Sequence, residues 1–331
     1  MFSDATASTR DVALRAVRAA AQLCQTVQAD IDNTVAEKDD RSPVTVADFG
    51  SQALICHALQ QAFPDVPVIA EEDSAMLQTD ANAHLLKQVV RRVQAQHPSA
   101  DAGAVCRWID HGDATQYHDR FWTLDPIDGT KGFVRGDQYA IALALVEDGL
   151  PTVAALACPN LPDNLDAPAS HGQVFIAVRG EGAMQFPLDD PEADGTSIST
   201  RDTAQAEEAR FTDSFVSAHS AHDKAKEVGD MLGISAPPIR MDSQAKYALV
   251  ARGDADIYFR LPRPGSDYTE KIWDHAAGRL VVEAAGGRVS DMHGEPLDFT
   301  HAPLLSENTG VVATSGAIHD DVIQALADYE R

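Results

Sequence analysis

Residues 122–132 read WTLDPIDGTKG, an apolar strand end that runs directly into two carboxylates, a proline and a glycine turn. Asp125 and Asp128 stand three apart, Pro126 stiffens the backbone between them, and Gly129 permits a tight turn presenting its own N–H and that of Thr130 to an anion. Hard oxygen donors of this kind suit magnesium, which meets protein through a few carboxylates together with substrate phosphate. Asp, Pro and Gly are also ordinary turn formers, so an acidic surface turn is the competing reading. The stretch points to a metal-dependent phosphatase, and the rest of the chain must decide between the two.

Working outward, the 331 residues suffice for one large domain or two lobes, and two lobes are expected. A hydrophobic share of 44% with 23% charged residues is ordinary for a folded chain and argues against extended disorder. No apolar run is long enough to span a membrane, and the first residues lack the pattern of a secretory leader, so a cytoplasmic protein is expected. Cys24, Cys56, Cys106 and Cys158 are far apart and form no zinc pattern. A formal charge of −25 disfavours a nucleic acid polymer as partner, because its phosphates would be repelled. Any anionic ligand must be small and welcomed locally.

Apolar spacing predicts a first helix over 8–31 and a second over 47–63, with Asp48 in the first turn, where an acid complements the helix dipole. A short strand over 67–70 runs into Glu71, Glu72 and Asp73. A helix is expected over 84–96 and an irregular insertion over 98–119, in which Asp110 and Asp113 are either turn residues or accessory metal groups. Strands follow at 121–124, 139–146, 152–157 and 173–178. The polar, acidic stretch 187–208 suggests a lobe boundary, giving lobes of 1–190 and 191–331. Beyond it, strands at 211–217, 239–240 and 256–259 alternate with helices at 223–232 and 244–252, the mark of an α/β architecture. A last helix over 273–285, with Asp274 as its N-cap, ends at Gly286 and Gly287 and feeds a strand at 288–290.

Glu71 after a strand, DPIDGT at 125–130 and WDHAAG at 273–278 occur in one order, and together they resemble the lithium-sensitive, magnesium-dependent phosphatases of the inositol monophosphatase superfamily. SPVTVADF at 42–49, SAHSAHD at 217–223 and DSQAKY at 242–247 are similar to the bisphosphate nucleotidase branch. The resemblance implies a layered αβαβα sandwich of two lobes, α/β in class, with the active site between them. It implies two or three Mg2+ ions held by Glu71, Asp125, the carbonyl of Ile127, Asp128 and Asp274, with Asp125 bridging. Asp48, Thr130 and Glu71 would carry catalysis, and Gly129, Thr130, His219, Ser243, Lys246 and Arg260 would bind substrate. The implied reaction removes the 3′-phosphate of adenosine 3′,5′-bisphosphate, with the related phosphosulfate as a second substrate and lithium as an inhibitor. A small-molecule nucleotide partner and a monomeric protein fit this reading. Inositol phosphate or sugar bisphosphate hydrolysis is the enzymatic alternative, and a catalytically idle nucleotide sensor the non-enzymatic one.

Overall fold

The computed structural model describes residues 4–30, 35–37, 43–214, 222–263, 265 and 268–331. Two helices open the chain: α1, Asp4–Ala29, and α2, Val46–Ala62, with a short antiparallel pair between them, β1 Val35–Glu37 and β2 Pro43–Thr45. The main sheet then follows as β3 Val68–Ala70, β4 Arg120–Asp128, β5 Ala140–Glu147, β6 Leu150–Pro162, β7 His171–Val178, β8 Gly182–Pro187 and β9 Thr196–Ile198. These seven strands lie in chain order; β3 is parallel to β4, and every later pair is antiparallel.

Alternation along β5 explains how this sheet is used. Ile141, Leu143 and Leu145 enter the core shared with α1 and α2, while Ala140, Ala142, Ala144 and Val146 enter a second core on the opposite face. Both faces are therefore covered, which is why the strand reads as an unbroken apolar run. On the second face lie α7, Ala245–Ala251, and α8, Ala276–Ala284. They also touch a five-stranded sheet built from β10 Phe211–Asp213, β11 Ile239–Arg240, β12 Ile257–Arg260, β13 Arg288–Ser290 and β14 Val311–Thr314, in the order β11-β10-β12-β14-β13. Ile257, Phe259 and Val312 of this sheet pack outward against α6, His222–Met231, and α9, His319–Tyr329. The layers are thus αβαβα, as the resemblance implied.

Three expectations change. The 98–119 segment is not irregular: α4, Ala102–Ile109, starts where the Asp101 side chain accepts the Ala104 N–H at 2.7 Å, and a 3-10 turn, Asp110–Gly112, completes it. Asp110 spends its carboxylate on the backbone and hydroxyl of Ser74, at 2.8 and 2.6 Å, so it fastens the loop after Glu71 and lines no metal site. Finally, β8, β9, β14 and α9 join the elements read from sequence, alongside α3, Ala83–Gln94, which was expected. Division of the chain at 190/191 stands as a proposal; α7 and α8 pack between both sheets.

The middle layer is tight. A Cβ on Gly278 of α8 would fall 2.1 Å from the ring of Tyr247 on α7. The Gly278→Ala variant should lose about 1–3 kcal/mol of stability, the usual cost of overpacking. An unchanged urea midpoint would show that the α7–α8 contact has slack.

Candidate active site

Asp125 and Asp128 lie three apart on β4, and a regular strand would turn them to opposite faces. The register prevents this: Asp125 pairs with Ala142 and Asp128 with Ala140, so β4 carries one residue more than β5 between the same two rungs. That bulge, containing Pro126, brings both carboxylates to one cavity of about 780 Å³. The Ser51 hydroxyl of α2 donates to the Pro126 carbonyl at 2.9 Å and fixes the bulge from behind.

Glu71 follows β3, whose parallel register sets Ala70 beside Leu124, and its N–H donates to the Leu124 carbonyl at 3.2 Å. Its carboxylate therefore enters the cavity next to Asp125. The buried Gln52 of α2 clamps the following residue, accepting the Glu72 N–H at 3.0 Å and donating to the Glu72 and Ile109 carbonyls. Asp274 arrives from the other side of the cavity. It is not the N-cap of α8: a 3-10 turn, Ile272–Asp274, ends on it, and His275 occupies the cap position without a side-chain bond. Its carboxylate faces Tyr268, whose hydroxyl donates to it at 3.3 Å, and Arg260 at 3.5 Å.

Asp48 serves two ends at once. Its Oδ2 accepts the Thr45 N–H and hydroxyl at 2.9 and 2.6 Å, completing a capping box for α2. Its Oδ1 faces the Thr130 hydroxyl at 3.3 Å, which also lies 3.2 Å from the Ile127 carbonyl. Gly129, at φ +89°, sits at the N-terminus of α5, Thr130–Arg135.

The opposite wall carries cations. Lys246 of α7 donates to the Ser214 hydroxyl at 3.1 Å and lies 5.1 Å from the Tyr258 ring centre. Burial pushes its amine down to about 8 despite the attraction of Asp128. Arg260, at the end of β12, was expected to offer its charge to substrate, but it is already engaged: its Nε lies 2.7 Å from Glu270. Ser243 lines the cavity at φ +68°, and its hydroxyl accepts the Ala245 N–H at 3.2 Å, although the N-cap position of α7 belongs to Gln244. The adjacent Gln244 ties the two halves together. Its N–H donates to Asp128, and its side chain donates to the Trp273 carbonyl at 2.9 Å and accepts the Gly278 N–H at 3.3 Å. His219 lies outside the described residues.

Sequence reasoning missed Glu270, His275 and Tyr247. His275 and Tyr247 are fully buried, with the Tyr247 hydroxyl 2.7 Å from His275 Nδ1 and His275 Nε2 3.0 Å from Glu270. Although burial alone would raise Glu270, Arg260 and His275 outweigh it and hold the carboxyl at about 2. Glu270, Asp274 and His275 also offer ligand atoms within 4.8 Å of one another and form a candidate metal-holding group among the described residues. An ion there would have to displace Arg260 from Glu270. Only the spacing EKIWDH carried a signal for this group.

Electrostatics separate the two walls. Burial raises Asp125 well above the usual carboxylate range, and Glu71, Asp128, Asp274 and Asp48 add like-charge repulsion. Burial also raises Asp128, opposed by Lys246 and Arg260, and lifts Asp274 to about 8. Oxygen donors that cannot all ionise unaided are a chemical fit to hard divalent cations.

Residues 6–331 match the inositol monophosphatase family. A protein of Schizosaccharomyces pombe described as 3′(2′),5′-bisphosphate nucleotidase is 40% identical over 334 residues, covering 96% of this chain and 94% of that protein. One of Oryza sativa with the same description is 42% identical over 337 residues, covering 96% and 92%. Among solved structures, an IMPase of Thermotoga maritima superposes with a TM-score of 0.65 at 22% identity, covering 96% of each chain; that likeness concerns the fold.

Carboxyls whose folded values exceed the unfolded 3.8 hold protons that the unfolded chain has released, so their stabilisation is present at acid pH and lost as pH rises towards about 8. A divalent cation held by these carboxylates would compete with those protons. The increase in Tm on adding magnesium should therefore grow between about pH 5.5 and pH 8, whereas an equal increment at both would argue against binding by these acids.

Proposed function

Because the chain belongs to the inositol monophosphatase family, we propose that its cavity hydrolyses the 3′-phosphate of adenosine 3′,5′-bisphosphate to give AMP and phosphate, and accepts the related 5′-phosphosulfate. One observation carries the reading: Glu71, Asp125, Asp128 and Asp274 line one cavity together with Lys246 and Arg260. The acids suit cations at the phosphate that leaves. Lys246 and Arg260 suit a second anionic group that stays attached to the substrate.

Glu71, Asp125 and the Ile127 carbonyl would hold one magnesium, and Asp125, Asp128 and Asp274 a second, with room in the scheme for a third. When bound, magnesium supplies the positive charge that stabilises the entering and leaving oxygens of phosphoryl displacement. The protein's own groups do the rest. Thr130, which donates to Asp48 across 3.3 Å, would orient the attacking water and relay its proton, passing its own to the Asp48 carboxylate as it accepts the water's, with Glu71 beside it. The N–H groups of Gly129 and Thr130 cradle the phosphate at the first turn of α5. Lys246 and Ser243 face the nucleotide, and His219 is assigned there from its motif. Among the described residues no helix is long and apolar enough to cross a membrane. A monomer acting in the cytoplasm, clearing a by-product of sulfate activation, completes the proposal.

A substrate panel tests it. With magnesium, phosphate release from adenosine 3′,5′-bisphosphate should far outpace release from inositol monophosphate or fructose 1,6-bisphosphate, and equal rates would reject the nucleotide assignment. Tight nucleotide binding without turnover would instead make the protein a sensor. Asp125→Asn should abolish turnover while leaving the circular dichroism spectrum unchanged; retained turnover would remove Asp125 from its bridging role.

A further inference from the structure

Arg260 stands between two acids with different duties. Asp274 is the proposed cation ligand, while Glu270 has no part in the proposed chemistry, yet Glu270 is the nearer, at 2.7 Å against 3.5 Å. We infer that Glu270 is a positioning residue, anchored by buried His275 and Tyr247, that holds the Arg260 guanidinium closer to itself than to Asp274 and aimed at the substrate's retained anionic group. This rests on the nucleotidase reading for the identity of that group.

The geometry fixes the direction of every bond in the anchor. Glu270 is ionised and can only accept, so His275 must donate from Nε2, across 3.0 Å. With its proton on Nε2, His275 accepts at Nδ1, and the Tyr247 hydroxyl donates across 2.7 Å. Both rings are fully buried, so neither bond competes with water. The backbone of Glu270 is pinned as well: its carbonyl accepts the Leu305 N–H at 2.9 Å, and the next residues pair with the 303–304 segment through Ile272 N–H to Pro303 at 3.1 Å. Tyr247 can approach this closely only because Gly278 has no side chain beneath its ring. Glu270 is thus held at both ends and cannot follow Arg260; Arg260 must follow it.

Without the charge on Glu270, the acid still ion-paired with the guanidinium among the described residues is Asp274, whose Oδ2 already accepts from Tyr268. A tighter Arg260–Asp274 pair would oppose cation binding there, and the retained phosphate would lose an oriented partner. A role confined to stability would do neither selectively.

The test uses the full-length protein and Glu270→Gln, with Tyr247→Phe as a milder variant that preserves packing and removes only the hydroxyl. For Glu270→Gln, KM for adenosine 3′,5′-bisphosphate should rise about tenfold or more, the scale of a lost charged hydrogen bond, with kcat at saturating magnesium changed by less than about threefold. KM for adenosine 3′-monophosphate, which lacks the retained phosphate, should change by less than about threefold. Magnesium affinity measured by calorimetry without substrate should fall about three- to tenfold. Tyr247→Phe should move all three quantities in the same direction by less, and it decides the matter if Glu270→Gln does not fold. Equal KM changes for both substrates, or unchanged magnesium affinity, would overturn the inference. Failure of the wild-type protein to hydrolyse the bisphosphate would overturn the functional reading instead, leaving the calorimetric comparison to judge Glu270.

Discussion

Mutual repulsion among buried carboxylates is the constraint around which the cavity is built. Asp125 is 2% exposed and feels Glu71, Asp128, Asp274 and Asp48 together. Uncompensated charge at such a place costs several kcal/mol per group, and a structure keeps it only where something else supplies the compensation. Part of the compensation is built in. Lys246 and Arg260 pull Asp128 back from the rise that burial alone would give it. For Asp125 the charged groups among the described residues that act on it most are all acids, and its Oδ1 accepts the Ile127 N–H at 3.1 Å, so it is the group a bound cation would relieve most. Oxygen donors held together against their own repulsion are the kind that suits hard cations.

Holding such groups together requires rigid supports drawn from several layers. The bulge on β4 is braced by Ser51, the end of β3 by Gln52, and the start of α8 by Gln244, whose three bonds join Asp128, Trp273 and Gly278. Each support is a short polar side chain, buried and satisfied, on a helix packed against one of the sheets. Since α7 and α8 are shared by both sheets, Lys246 on α7 and Asp274 in the turn before α8 are set relative to Asp125 by the apolar middle layer.

How much of this the sequence disclosed depended on the range of the interaction. Asp125, Asp128 and Thr130 were legible because one short stretch contains them. The layered fold was legible through resemblance and through the alternation of helices and strands. The bulge that turns Asp125 and Asp128 to the same side was not, because register is a property of two strands and Ala140 and Ala142 say nothing about it alone. Asp274 was placed one residue wrongly, since an acid before a small-residue run looks like a cap, while a 3-10 turn leaves its side chain free for the cavity. The 98–119 segment hid α4 because an eight-residue helix offers too few turns for a period to stand out. Glu270 was passed over because its partner Arg260 lies ten residues away, and no local rule links an acid to a histidine five positions on.

A protein with a formal charge of −25 that takes an anionic substrate poses a question which local geometry answers. Exposed charges fade over roughly 8 Å at physiological salt, so the field inside the cavity is set by its own walls. Among the described residues six carboxylates line it against the four cations Lys131, Lys246, Arg260 and Arg263, a formal balance of minus two. Two divalent ions held as proposed would reverse that balance to plus two, so metal would come first and phosphate second. Asp48 stands outside that count: one carboxylate oxygen is spent on Thr45 and the other is turned towards Thr130, so in the proposed scheme its charge would be kept for a proton and not for a cation.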